Sequence, residues 1–254
     1  MNIFRPKAEK SPAGSAKAGK IRLYEDLKHQ ILTLQREPDE DLDELDLCAR
    51  YGLSRTPVRE VFRRLDGEGY VCIRPRGGVR VAPMNHATLR HFFLAAPMIY
   101  AASGRLAAHH FKPAQMARLR ETQAAFRRAG AAGDGAATVL HNNRFHEIIG
   151  EMSGNIYLQE GLNRLLIDHA RIGQTFYQPH GDGLSERQRL AVQHHDQFIE
   201  AIEARDEDAV ARITFAHWEL SRQNVELFIT PAGLGTRDSR DAAEILSIKE
   251  QSDV

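Results

Sequence analysis

Cysteine is nearly absent from this chain of 254 residues, with only Cys48 and Cys72 present. Two thiols are too few for a disulfide framework or a zinc ribbon, and both read as small buried apolar residues of a cytosolic protein. No apolar run approaches the roughly 20 residues that a membrane-spanning helix needs. The opening stretch carries Lys7, Lys10, Lys17 and Lys20 but no apolar core, so it is not read as a secretory signal. A cytoplasmic protein without a membrane partner is therefore expected. Net charge is also lacking, at zero, which argues against a protein that coats nucleic acid with its whole surface. HExxH is missing too, and no acid or base stands at a motif spacing beside the histidines discussed below. A metal-dependent hydrolase is thus disfavoured, and no enzymatic activity is expected.

What charge there is lies unevenly. Between Arg50 and Met84 eight arginines face three acids, Glu60, Asp66 and Glu68, while Glu37 to Asp46 just upstream is strongly acidic. A basic patch on a neutral chain is a local footprint for a polyanion. Residues 1–18 are rich in Ala, Gly, Lys, Pro and Ser, and are expected to form a disordered tail. Ile21, Tyr24, Leu27, Ile31 and Leu34 recur with helical spacing, predicting a helix over about 20–35. Leu42, Leu45, Cys48 and Ala49 predict a short second helix ended near Gly52.

Thr56 followed by Pro57 then signals a helix start, with the hydroxyl as cap and the proline at the first helical position. Val58, Val61, Phe62 and Leu65 form one apolar face, Arg59 and Arg63 lie on another, and Gly69 suits the left-handed position after the helix. Val71 and Ile73, then Val79 and Val81, alternate with polar residues on either side of Pro75 to Gly78, predicting a hairpin with an arginine-bearing tip. A tight turn, a capped basic helix and a hairpin are the parts of a winged helix-turn-helix. Its second helix would enter the major groove of double-stranded DNA, and Arg74 and Arg76 on the wing would lie over the backbone or minor groove.

The run LDELDLCARYGLSRTPVREVFRRLDGEGYVCIRPRGGVRVAP closely resembles the winged-helix domain of the GntR family of bacterial regulators. Carried over by position, the resemblance implies that Arg55, Thr56 and Arg59 contact DNA, with Ser54 and the wing tip from Arg76 and Gly77 to Gly78 as lesser contacts. The chain departs from the family at Leu34, where a glycine is usual, and at Pro38-Asp39, where Pro-Gly is usual. Leu45 stands where some members place a basic contact.

From about 87 to 230 the pattern is helical, with segments near 87–110, 113–130, 134–152, 155–176, 185–204 and 207–229. The expected organisation is a mainly α fold: a winged domain over 19–83, a hinge at 84–86, an all-helical bundle over 87–230 and a polar tail over 231–254. Asn142 and His146 are one turn apart, a spacing that suits two ligands of one metal ion, while His195 and His217 fall on the inward stripes of later helices. Taken alone, each of these three histidines is more often a satisfied core or rim histidine, and His141, His169 and His194 compete for the same role.

The blocks HNNRFHEIIGEMSGN, HHDQFIEAIEARDEDAV and AHWELSRQNV resemble the FCD effector domain of the FadR-type branch of that family. The resemblance implies a divalent metal (Zn, Ni, Mn or Fe) held by Asn142, His146, His195 and His217, with Asn in place of an acid weakening the site. Ala96 and Tyr100 stand where many members carry an arginine and a glutamate. Tyr100, Arg105, Arg164 and Arg171 are then the candidate effector contacts. The function implied is a ligand-responsive repressor that binds a palindromic operator as a homodimer, with a small organic-acid effector. The alternative within regulation is a metal-free effector pocket. Phe92, Phe93, Leu94, Met98 and Ile99 supply either the dimer interface or core.

Overall fold

The computed structural model describes residues 13–75, 78–177 and 186–229. The N-terminal part comprises α1 (Ala13–Leu32), β1 (Asp41–Leu42), α2 (Glu44–Tyr51), α3 (Arg55–Glu68), β2 (Val71–Arg74) and β3 (Gly78–Val81). Helix α1 starts earlier than its apolar stripe suggests, so residues 13–18 of the expected disordered tail are helical. The stripe that packs is Leu23, Tyr24, Leu27 and Ile31, while Ile21 is left exposed. Helix α3 buries Val58, Val61, Phe62 and Leu65, the face predicted from spacing. Its cap is Ser54 rather than Thr56. Pro57 still fits, because the first four N–H groups of a helix have no intrahelical partner to lose.

The hairpin pairs Val71 with Val81 and Ile73 with Val79. A third strand was not anticipated: β1 joins the outer side of β3, with Asp41 opposite Arg80, giving the order β1-β3-β2. Two residues are too short a run to show any alternation. The cross-strand ion pair, with Arg80 Nη2 donating to Asp41 Oδ2 at 2.9 Å, helps set that register.

The remaining helices are α4 (His86–His110), α5 (Pro113–Ala131), α6 (Gly135–Ser153), α7 (Ile156–Phe176), α8 (Glu186–Glu203) and α9 (Glu207–Ile229). Their bounds follow the predicted segments closely because glycine and proline punctuate the pattern. Helices α4 and α9 cross tightly: a Cβ on Gly104 would lie 2.5 Å from Val210 Cγ1. Phe92 is buried and packs edge-on to Trp218, whereas Leu94 and Met98 on the same helix are exposed. Phe92 is therefore core, and only part of the candidate interface remains on the surface. Among the described residues, no helix is long and apolar enough to cross a membrane.

One helix joins the two halves. From α7, Arg171 Nη1 donates to Ala82 O at 2.6 Å and Nη2 to Pro83 O at 3.4 Å, and Gln174 Nε2 donates to Leu32 O at 3.0 Å. Arg164 Nη1 donates to Gly69 O. Arg171 is fully buried and ion-paired with Asp168. Gly69 has φ of 90°, and the Arg164 guanidinium occupies the place a Cβ would take. The segment expected to act as a hinge is thus held on one side by Arg171. On the other it is held by the capping box of α4, in which Asn85 and Thr88 bond reciprocally.

Leu34 and Asp39 adopt φ of 55° and 64°, the left-handed region. These are the two places where the sequence departs from the family's glycines, so the backbone shape is kept without the residue that suits it. Asp tolerates this region better than most side chains, and β-branched residues tolerate it least. Asp39→Val is expected to cost about 1–2 kcal/mol in chemical denaturation, while Asp39→Gly leaves stability equal or slightly higher. Equal losses in both variants would refute the backbone argument.

Candidate nucleic-acid interface and histidine cluster

The N-terminal end of α3 presents Ser54, Arg55, Thr56 and Arg59 to solvent. The Ser54 side chain makes no capping bond, which leaves its hydroxyl free for a phosphate oxygen. Both arginines lean on one carboxylate of α2: Arg59 Nε lies 2.7 Å from Glu44 Oε2 and Arg55 Nε 3.6 Å from Glu44 Oε1. Glu44 therefore holds the two guanidinium groups side by side ahead of any contact with DNA. On the wing, Arg80 is paired with Asp41 and Arg74 lies 3.8 Å from Asp39. Arg76 and Gly77 lie outside the described residues.

Arg55→Ala and Arg59→Ala are each expected to weaken operator binding without unfolding the domain, because neither side chain belongs to the buried face. A lost bidentate base contact costs roughly 1–3 kcal/mol and relaxes one base pair, whereas a lost phosphate contact flattens the salt dependence. Titrating a selected operator at several salt concentrations separates the two. Unchanged binding in both variants would remove α3 as the reading helix.

In the bundle, α6 carries Asn142 and His146, α8 carries His195 and α9 carries His217, and all four are buried. One ring nitrogen from each of the three histidines lies within 4.8 Å of the other two. His146 Nε2, His195 Nε2 and His217 Nδ1 are buried without a hydrogen-bond partner. A partnerless buried polar atom costs about 1–3 kcal/mol, so three on one cluster are relieved by a ligand that accepts their lone pairs. A divalent ion bound by imidazole fits that requirement.

The tautomer of His195 follows from its neighbours. Gln123 on α5 donates through Nε2 to Val192 O at 3.1 Å and to Asp196 Oδ1 at 3.0 Å. Its Oε1 must then accept from His195 Nδ1, 2.9 Å away. The proton sits on Nδ1 and the Nε2 lone pair faces the cluster, the arrangement a metal ligand needs. Phe145 stacks flat on the same ring at 4.0 Å and fixes its plane. Asn142 Oδ1 accepts from Tyr177 Oη at 3.3 Å, which leaves the amide oxygen one lone pair.

Of the other candidates, Tyr100 reaches the cluster: its hydroxyl lies 2.9 Å from His169 Nδ1, and its ring packs edge-on to His146. The three arginines do not. Arg105 forms an exposed pair with Asp208 at 2.7 Å, Arg164 reaches Gly69 and Arg171 reaches Ala82. Gln123 escaped the sequence reading because a lone glutamine carries no spacing signal.

Burial, and then the neighbouring imidazoles, push His146, His195 and His217 well below the ordinary histidine value. Burial alone pushes His169 down to about 4. In each case the unfolded chain takes up a proton near pH 6.5 that the folded chain refuses. Below that pH the unfolded state binds more protons, so stability falls as pH falls. The loss is about 1.4 kcal/mol per pH unit for each such histidine. Melting curves in chelator should drop steeply between pH 6.5 and 5.5, and less steeply in His169→Phe. A flat profile would contradict burial of neutral imidazoles.

Residues 20–81 match the gntR family of bacterial regulatory proteins, and residues 98–220 match the FCD domain. The chain is 26% identical over 204 residues to the HTH-type transcriptional repressor RspR of Escherichia coli K12, covering 80% of this chain and 87% of that protein. It is 22% identical over 204 residues to the uncharacterized HTH-type transcriptional regulator YdhC of Bacillus subtilis, covering 78% and 87%. Among solved structures it superposes on Escherichia coli McbR/YncC with a TM-score of 0.67 at 22% identity, covering 82% of this chain and 96% of that one. A GntR regulator of Rhodococcus sp. RHA1 superposes with a TM-score of 0.64 at 17% identity, covering 82% and 98%. These structural likenesses carry the fold, and the sequence matches carry the kind of protein. The chain belongs to the gntR family of transcriptional regulators and carries an FCD effector-binding domain.

Proposed function

We propose that this protein is a cytoplasmic, homodimeric repressor. Its affinity for a palindromic operator is set by a small organic acid read at a divalent-metal centre in the bundle. The observation that carries the reading is the convergence of partnerless nitrogens from His146, His195 and His217. Asn142 would add a neutral amide oxygen, so the first shell is electrically neutral and suits Zn, Ni, Mn or Fe according to supply. A bound ion would supply the positive charge that attracts a carboxylate, a charge that neither Ala96 nor the three distant arginines provide.

Repression is the role given in the name of RspR. A dimer is supported by the reach of one recognition helix, which covers too few base pairs to single out a genomic site. Leu94 and Met98 leave an apolar stripe on α4, 63% and 65% exposed, for a second copy to cover. DNA contact falls to Ser54, Arg55, Thr56 and Arg59, with Arg76 and Gly77 at the wing tip.

The switch follows from space. A cavity of about 10 Å³ beside the cluster is bounded by α7, α8 and α9 and includes His169, Tyr177 and His217. That is room for about one water molecule. A larger ligand must part α7 from α8 and α9, and α7 is the helix bonded to Gly69, Ala82, Pro83 and Leu32 of the winged half and linker. An effector that favours the parted arrangement would shift the winged domains with it.

The test is elemental analysis with melting curves for protein purified without a His tag, wild type against His195→Ala, with and without Zn or Ni. Metal at a hundred times its Kd should stabilise the wild type by about 2.7 kcal/mol and leave the variant unmoved. Occupancy should persist below about pH 6 for as long as the fold holds, since imidazole binds when neutral and burial keeps these three neutral well below the ordinary histidine value. Identical curves and no bound metal would leave the metal-free pocket as the reading.

A further inference from the structure

We infer that His169 is the specificity-determining residue of the effector site, a fixed N–H donor aimed at the oxygen of a small carboxylate lodged beside His217. This rests on the reading of the bundle as an effector site and names the side chain that recognises the ligand.

The hydroxyl of Tyr100 is buried and its partner is His169 Nδ1, at 2.9 Å. A buried O–H with no acceptor is costly, and Nδ1 is the acceptor within reach, so Tyr100 donates and Nδ1 carries the lone pair. A neutral imidazole has one proton, which therefore sits on Nε2, on the far edge of the ring from α4. The ring lines the same small cavity as His217, and its centroid is 5.0 Å from that of His146. Among the described residues, the other polar side chains lining that cavity are Tyr177 and Ser221, and no lysine, arginine or carboxylate lines it. A neutral N–H donor recognises an acceptor atom. A carboxylate supplies one oxygen to accept from His169 and a second for the Ser221 hydroxyl on the same lining.

The chain carries its own reporter. Trp218 is the single tryptophan, and its ring lies 5.4 Å from His169 and 5.0 Å from Tyr100. The experiment titrates the full-length protein with acetate, and with chloride as an ionic-strength control, reading Trp218 emission with and without Co(II). The visible spectrum of Co(II) reports the triad separately. Wild type should respond to acetate saturably. His169→Phe should weaken acetate binding on the order of tenfold, the size of one hydrogen bond to a charged acceptor. Tyr100→Phe should weaken it severalfold by releasing the tautomer, and His169→Gln, which keeps an N–H donor, should stay near wild type. Cobalt binding should be equal in all four proteins. Acetate that binds equally well to wild type and His169→Phe overturns the inference, as does an acetate response absent from wild type in both cobalt conditions. A His169-dependent acetate response without any cobalt spectrum supports the inference and removes the metal instead.

Discussion

Several neutral imidazoles, each with one ring nitrogen left without a partner inside a helical bundle, are a standing cost, and the rest of the effector half is organised around it. His146, His195 and His217 occupy positions that close packing would give to leucine or isoleucine. Each forfeits hydrogen bonds to water, and each resists protonation first because it is buried and then because neighbouring imidazoles stand beside it. The surrounding groups keep the arrangement single-valued rather than relieving it. Gln123 fixes the proton of His195, Phe145 fixes its plane, and Tyr177 fixes the amide of Asn142. In a cluster so constrained, little ordering remains to oppose the binding of an ion.

The same helix that closes this site also carries the winged half. Helix α7 turns His169 and Tyr177 toward the cluster, and Arg164, Arg171 and Gln174 toward backbone carbonyls of the winged half and linker. Arg171 is the costly element, a guanidinium taken wholly out of water. Its pairing with Asp168 and two linker carbonyls offsets that cost only while the two halves keep this relation. Side chains that face the cluster and side chains that hold the winged half thus sit on one helix.

At the DNA-facing end the logic is electrostatic. Arg55 and Arg59 share Glu44, so the reading side chains are ordered beforehand and part of their charge is held in reserve. Under the proposed function, phosphates and base edges would compete with that carboxylate. The exchange favours sites that offer bidentate acceptors over sites that offer only charge.

The winged helix was legible in the sequence because its signals are local. Val58, Val61, Phe62 and Leu65 mark one face at helical spacing, Gly69 marks the stop, and glycine and proline mark the bundle's helix ends. The candidate triad was legible as far as its residues, since His146, His195 and His217 fall on inward stripes. Their convergence belongs to the tertiary structure alone, because it depends on how α6, α8 and α9 cross. Gln123, Tyr100 and His169 meet their partners across 72 and 69 positions of chain, where no periodicity reaches. The strand β1, the burial of Phe92 and the bonds of Arg164 and Arg171 to the winged half and linker were decided in the same way. Periodicity records which face of an element is apolar; which polar groups meet across those faces is set only when the faces pack.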